Sequence, residues 1–346
     1  MARQGSRRTS RKVVVITGAS AGVGRAVAHR FARSGAAIAL VARDLEALEE
    51  TKAEVEAEGG TAIVMPLDVA DADAVFAAAR DVEEELGPID VWINNAMATV
   101  FSPLSEMRPE EFRRVTETTY LGYVHGTMAA LQHMRLRNRG VIVQVGSALS
   151  YRGIPLQSAY CGAKHAIRGF TDSLRCELIH ERSRIKLTMV HLPAVNTPQF
   201  DWARTHMSNA PRPVAPVFQP EVAAEAIYDA SRNPRREVWL GSSTAQVILG
   251  NALAPWLLDR YLARTCYKGQ QRRVELAPGR ADNLFHPVHK PHRTRGSFDK
   301  EASFSGLAFS GNAVRLGVAM AGFGAAVIAG MLARGALASR FLPPKR

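Results

Sequence analysis

The chain of 346 residues carries a net charge of +12 and exceeds the usual single-domain length, which fits one large α/β domain with an extension. Residues 1–12 hold five basic side chains and no acid, residues 231–346 hold 18 basic and 6 acidic, and residues 13–230 hold 21 basic against 26 acidic. A mildly acidic body argues against a basic groove for nucleic acid, and the three cysteines, Cys161, Cys176 and Cys266, give no disulfide framework and point to a reducing compartment.

Taken in chain order, short apolar runs alternate with longer helical ones. Residues 1–11 form a basic tail with no long apolar stretch and no cleavage site of a secretory signal. Val13–Thr17 is a β-branched run that ends at glycine, followed by a helix over 22–33 and a strand over 37–41. Residues 44–58 combine strong helix formers with apolar positions at helical spacing, with Asp44 as the expected cap. Strands over 62–66 and 90–93 flank a helix over 71–86. A helix over 109–136, a strand over 140–146, a helix over 157–181, a strand over 185–191, a helix over 220–231 and the short strand Glu237–Leu240 complete the series. Apolar strands separated by crossover helices predict an α/β fold, a doubly wound parallel sheet with its ligand at the carboxyl ends of the strands.

Beyond this body (12–242), residues 243–267 predict a helical extension, one amphipathic helix or two interrupted at Pro255, to pack on the core, line the pocket or contact another subunit. Residues 268–311 are rich in Pro, Gly and Arg and read as a linker. Its His286, His289 and His292 lack a nearby acid or cysteine, so no metal site is expected. Within 312–346, residues 316–333 are uncharged and mostly apolar, and as a helix would extend roughly 27 Å, near the thickness of a bilayer core. Small residues at Gly322, Ala326 and Gly330 suit close helix contact in lipid, while abundant Gly and Ala keep a core or interfacial helix open as readings. The basic ends are either drawn to an anionic surface or simply solvated.

Three motifs carry chemistry. TGASAGVG (17–24) lies between a β-run and a helix, where glycines permit a tight turn and close backbone approach, and the helix N-terminus offers N–H groups to phosphate. Tyr160 and Lys164 stand four residues apart, hence on one helical face, so that the ammonium is expected to lower the phenol pKa. Ser147 lies thirteen residues upstream of Tyr160.

Together with Asp68-Val69, Asn94-Asn95-Ala96 and PAVNTP (193–198), these motifs make residues 12–242 resemble a short-chain dehydrogenase/reductase of the single-domain Ser/Tyr/Lys type. The resemblance implies that Tyr160 protonates the alkoxide or deprotonates the alcohol. Ser147 is then the donor to the substrate oxygen, and Lys164 binds the nicotinamide ribose. It further implies that Asp68 binds adenine, Asn95 supports the adenosine region, and Thr197 contacts the carboxamide. Thr17, Gly18, Ser20, Gly22, Val23, Gly24, Val69, Ala96, Pro193 and Val195 complete the implied dinucleotide site. Arg43, where a ribose-binding acid is absent, favours NADP(H) over NAD(H), because a guanidinium pairs well with phosphate. Thr119 stands where the family commonly has a relay asparagine, and Met97 and Ala194 replace common glycines. An NADP(H)-dependent oxidoreductase is therefore expected, a nucleotide-binding scaffold with little turnover being the alternative.

Phe200, Trp202, Met207 and Phe218 in the stretch 194–219, with Tyr151, Ile154 and Pro155, suggest an apolar lid and wall for an apolar carbonyl or secondary alcohol. The resemblance also implies a homo-oligomer paired through the helices at 109–136 and 157–181; NADP(H) chemistry calls for a cytoplasmic catalytic domain, and the apolar stretch leaves membrane association through 312–346 an open reading.

Overall fold

A computed structural model describes residues 11–276, 279–288 and 292–321. Eight strands form the main sheet: β1 (Val13–Thr17), β2 (Ala37–Ala42), β3 (Thr61–Pro66), β4 (Ile89–Asn94), β5 (Val141–Ser147), β6 (Lys186–Leu192), β7 (Glu237–Leu240) and β8 (Ala308–Ser310). Their spatial order is β8-β7-β6-β5-β4-β1-β2-β3. Every pairing is parallel except that of β8 with β7. The crossovers are helical: α1 (Gly22–Ala32), α2 (Leu45–Ala57), α3 (Ala72–Glu85), α4 (Pro109–Thr116), α5 (Gly122–Leu136), α6 (Ser158–His180) and α7 (Pro220–Arg232). Two further helices, α8 (Ser242–Leu253) and α9 (Pro255–Gly269), follow β7.

The continuous apolar strands reflect burial on both sheet faces. Side chains alternate across a strand, so Val14 and Ile16 of β1 join the core under α1 and α7 with Val27, Phe31 and Ile227. Val13 and Val15 join the opposite core, with Val82, Leu131, Met134 and Leu174. Asp44 accepts from Ala47 N at 3.0 Å and caps α2, as expected of it. Chain order reverses between β1 and β4, which opens a crevice at the carboxyl ends of those strands.

Two stretches differ from the sequence-based expectation, and a third takes one of its two expected forms. The helix expected over 109–136 is broken by a π-helical turn, Glu117–Leu121. The extension after β7 divides at Pro255, whose ring is tolerated in the first turn of α9. The described residues of 268–311 pack on the body. Gln271–Glu275 pairs with Asn209–Pro211, Ala302–Ser303 pairs with Val217–Phe218, and β8 extends the main sheet. Leu284, Val288, Phe298 and Ala302 are buried there, single apolar anchors that a Pro-, Gly- and Arg-rich composition hides.

Residues 311–321 are helical and expose Leu316, Val318 and Met320. The remainder of the apolar stretch, 322–333, and the basic ends 1–10 and 334–346 lie outside the described residues, as does His289. Among the described residues no helix is long and apolar enough to cross a membrane, and no group of three His, Cys, Asp or Glu could hold a metal.

Candidate active site

The glycine turn shapes one end of the crevice. Gly18 has φ +70, a left-handed conformation that suits glycine. A Cβ on Gly24 would stand 2.0 Å from the Gly18 carbonyl oxygen, so α1 packs against the turn only because that carbon is missing. The α1 N-terminus has no side-chain cap. Asn95 ties the turn to β4, its Nδ2 donating to Thr17 O at 2.9 Å and Gly18 O at 3.3 Å, while the Thr17 hydroxyl accepts from Asn95 N at 2.9 Å.

The chemistry-bearing residues meet at the other end. Ser147 ends β5, and its Oγ accepts from Leu149 N at 3.1 Å. The Tyr160 hydroxyl hydrogen-bonds with Ser147. Lys164, only 2% exposed, donates to Val145 O at 2.7 Å and to the Tyr123 hydroxyl at 3.0 Å. Its ammonium lies 5.6 Å from the Tyr160 ring centroid. Burial pushes the Tyr160 phenol above its ordinary pKa, Cys161 adds to the push, and the bond to Ser147 opposes it. Burial also brings Lys164 down to about 7. The expectation of a phenol pKa lowered by its lysine neighbour is therefore corrected for the free protein: desolvation outweighs the cation, and α6 directs that cation toward Tyr123 and the β5 backbone.

One cavity of about 440 Å³ joins the two ends. Gly18, Ser20, Gly22, Val23, Arg43, Asp68, Val69, Asn95, Ala96, Ser147, Tyr160, Lys164, Pro193, Val195 and Thr197 all line it. Thr17, Gly24 and Thr119 stand behind its wall. The Thr119 hydroxyl both donates to Ala98 O and accepts from Ala98 N, each at 2.9 Å, which clamps the loop after β4. Met97, Ile154, Ala194, Phe200 and Trp202 line the cavity; Tyr151, Pro155, Met207 and Phe218 do not.

Two walls come from beyond the expected body: the helical extension takes its pocket-lining reading, while sequence reasoning missed a strap. Val247 of α8 and Leu258, Tyr261, Leu262 and Cys266 of α9 close the apolar side. Residues 279–288 and 292–298 form this strap over the crevice, contributing Asn283, Pro287, Val288 and His292. Arg43 donates to the carbonyls of Asn283 at 2.5 Å, Leu284 at 3.3 Å and Phe285 at 3.1 Å. Asp68 pairs with Arg114, which also donates to Leu284 O at 3.1 Å. The Gly22 N–H donates to Arg293 O at 3.1 Å, and the His292 ring lies 5.1 Å from that of Trp202. Arg204 clasps lid to strap, reaching the fully buried Glu111 at 3.1 Å and Asp282 at 2.9 Å.

Behind Ser147 lies a largely buried polar group of five. His191 Nδ1 donates to Ser147 O at 3.0 Å. The Glu237 carboxylate accepts from Tyr151 at 2.6 Å, Trp239 at 3.0 Å and Arg315 at 2.8 Å, and lies 3.9 Å from His191 Nε2. Burial takes His191 down to about 4. Burial alone would raise Glu237, but His191 and these donors hold it at about 2.

The model of the short chain dehydrogenase family matches residues 12–207. The uncharacterized oxidoreductase YxnA of Bacillus subtilis is 34% identical over 75% of this chain and 73% of its own. A fatty acyl-CoA reductase of Acinetobacter baylyi is 30% identical over 80% and 95%. Among solved structures, a metagenomic short-chain oxidoreductase in complex with NADP has a TM-score of 0.53 at 26% identity, covering 64% of this chain and 90% of the other. Levodione reductase gives 0.52 at 33% identity, covering 54% and 73%.

Proposed function

The chain belongs to the short-chain dehydrogenase family and is an oxidoreductase of the CH–OH/C=O pair, and from that premise we propose that it is an NADP(H)-dependent reductase or dehydrogenase of an apolar carbonyl or secondary alcohol. The observation that carries this reading is the convergence of Ser147, Tyr160 and Lys164 on the cavity that also holds the glycine turn. NADP(H) is favoured because Arg43 lines the cavity and a phosphate would replace its neutral carbonyl partners with a charged one. The solved metagenomic relative was crystallised with NADP. The uncapped α1 N-terminus fits a pyrophosphate, and the bare Cα of Gly24 lets α1 pack against the turn that faces it. Bound there, the dinucleotide supplies or takes the hydride.

The chain's own residues manage the proton and the charge. Ser147 holds the substrate oxygen through a hydrogen bond that strengthens as negative charge develops. Tyr160 delivers its phenolic proton to that oxygen in reduction and withdraws it in oxidation. Lys164, as an ammonium in a dry site, would donate to a ribose hydroxyl of the bound nucleotide and set its positive charge beside the phenol. Thr197 and the Pro193–Val195 backbone position the nicotinamide amide, Asp68 with Val69 frames the adenine, and Asn95 keeps the turn in place. Thr119 fixes the loop carrying Met97 without offering a free hydroxyl proton.

The apolar substrate class is supported by Phe200, Trp202, Ile154, Val247 and Leu262 around the reacting end and by the fatty acyl-CoA reductase among the relatives. A homo-oligomer paired through α5 and α6 is supported by exposed Met128, Leu136 and Ile179. We place the catalytic body in the cytoplasm, where its three free thiols stay reduced, with residues 312–346 as a membrane-associating segment. The deciding experiment follows nicotinamide absorbance while purified protein is offered a panel of ketones, aldehydes and secondary alcohols. Turnover of none, with the nucleotide bound, would favour the scaffold reading.

A further inference from the structure

The helix α9 has two unlike sides. Leu258, Leu262 and Cys266, one turn apart, line the catalytic cavity. On the outward side, Trp256 and Leu257 are 58% and 53% exposed, and Leu253 at the end of α8 is 77% exposed, while Tyr261, 58% exposed, stands at the boundary and also lines the cavity. Arg260, Arg264 and Lys268 are exposed among them, with the Arg260 guanidinium 5.7 Å from the Trp256 ring centroid. The one acid in residues 242–269, Asp259, is tied to Arg152. The outward side is therefore apolar and cationic with no free anion of its own.

Such a surface has a specific match. Indole and phenol rings settle at the headgroup level of a bilayer, aliphatic tips reach the acyl boundary, and guanidinium and ammonium groups meet anionic headgroups. A second exposed apolar surface is tethered to the same spot. Tyr151 receives Asn251 Nδ2 of α8 on its carbonyl at 2.9 Å and Arg315 on its hydroxyl at 2.6 Å, and the helix carrying Arg315 exposes Leu316, Val318 and Met320.

We propose that the outward face of α8 and α9 docks on an anionic lipid surface, with the α9 wall of the catalytic cavity set against it. Docking rests on this surface alone; its use, to admit a carbonyl compound dissolved in lipid, rests on the apolar-substrate reading above. The surface is separate from the segment 312–346, so the two attachments are distinguishable.

Tryptophan reports on this face directly. Trp92, Trp202 and Trp239 are 1%, 7% and 0% exposed, which leaves Trp256 as the exposed one of the chain's four. The full chain is mixed with vesicles of phosphatidylcholine alone or in equal parts with phosphatidylglycerol, and its emission is followed together with quenching by brominated acyl chains. With the mixed vesicles, a blue shift and quenching that vanish in Trp256→Phe are expected. Arg260→Gln with Arg264→Gln should lower the vesicle partition roughly thirtyfold, as two headgroup contacts are lost. Trp256→Ser with Leu257→Ser should lower it as well, while nucleotide binding stays unchanged.

Sedimentation with vesicles while Trp256 emission remains that of a water-exposed indole would assign attachment to the terminal segment and overturn the proposal. So would equal binding to both vesicle types, or no binding. Emission already blue in free protein and indifferent to lipid would mean that the terminal segment or a second copy covers the face, which also overturns it. None of these readouts depends on turnover, so an inactive protein that passes them would count against the enzymatic reading alone.

Discussion

Lys164 donates to the Tyr123 hydroxyl at 3.0 Å, while its ammonium stands 5.6 Å from the ring centroid of Tyr160. The lysine of the free protein is thus held by a neighbouring helix and the β5 backbone, in a site dry enough to bring its pKa down to about 7. Between that value and its ordinary value near 10.5, the unfolded chain binds more protons than the folded one, so stability rises with pH. The window closes near pH 10, because Tyr123 and Tyr160 are raised above their ordinary values and oppose further gain. Urea unfolding of the free protein between pH 7 and 10 should show a slope of at most about 1.4 kcal/mol per pH unit. Lys164→Met should flatten it.

Tyr160→Phe removes the proton carrier and leaves the cavity shape. Turnover should fall roughly 10²- to 10⁴-fold, with nucleotide affinity, read by fluorescence titration, nearly unchanged. Unaltered turnover would refute the acid/base role of the phenol.

Arg43→Glu should weaken NADP roughly tenfold or more relative to NAD, since a charge-assisted contact becomes a repulsion. Equal losses for the two nucleotides in calorimetry would remove the phosphate argument and leave Arg43 as an anchor for the strap alone.

Acid should unfold the protein in two stages. His191 is kept neutral, down to about 4, whereas an unfolded histidine protonates near its ordinary 6.5, so its contribution is complete above pH 6.5 and is lost as pH falls to 4. Glu237 and Glu111, both held at about 2, contribute above their ordinary 4.5 and lose that contribution between 4.5 and 2. His191→Gln, which keeps a donor for the Ser147 carbonyl, should remove the upper stage of a circular-dichroism acid titration and spare the lower.

The parts legible in the sequence are those set by local pattern. The β1–glycine–α1 unit, the Tyr160/Lys164 spacing and the Asp44 cap depend on neighbours within a few residues, and periodicity reveals them. What escaped depends on distant packing. Nothing within a turn of Lys164 announces Tyr123, 41 positions away, as its partner. Arg43 meets carbonyls about 240 positions along the chain, in a stretch whose prolines and arginines resemble a tether. Glu111, fully buried, looks like any solvated helix carboxylate until Arg204 and His206 arrive from the lid. The clasp from Glu111 through Arg204 to Asp282 exists only once three separate segments converge.

The match to the short chain dehydrogenase family ends at residue 207, yet β8 borders β7 and Gly311 rests against Trp239, where a Cβ would come within 2.9 Å of the indole. Trimming this protein to the matched portion would remove α7, β7 with Trp239, and β8, and leave β6 as a bare edge of the main sheet. Any graft of the nucleotide-handling half into a relative must therefore carry the chain through β8 and Gly311 with it, because β8 completes the same sheet.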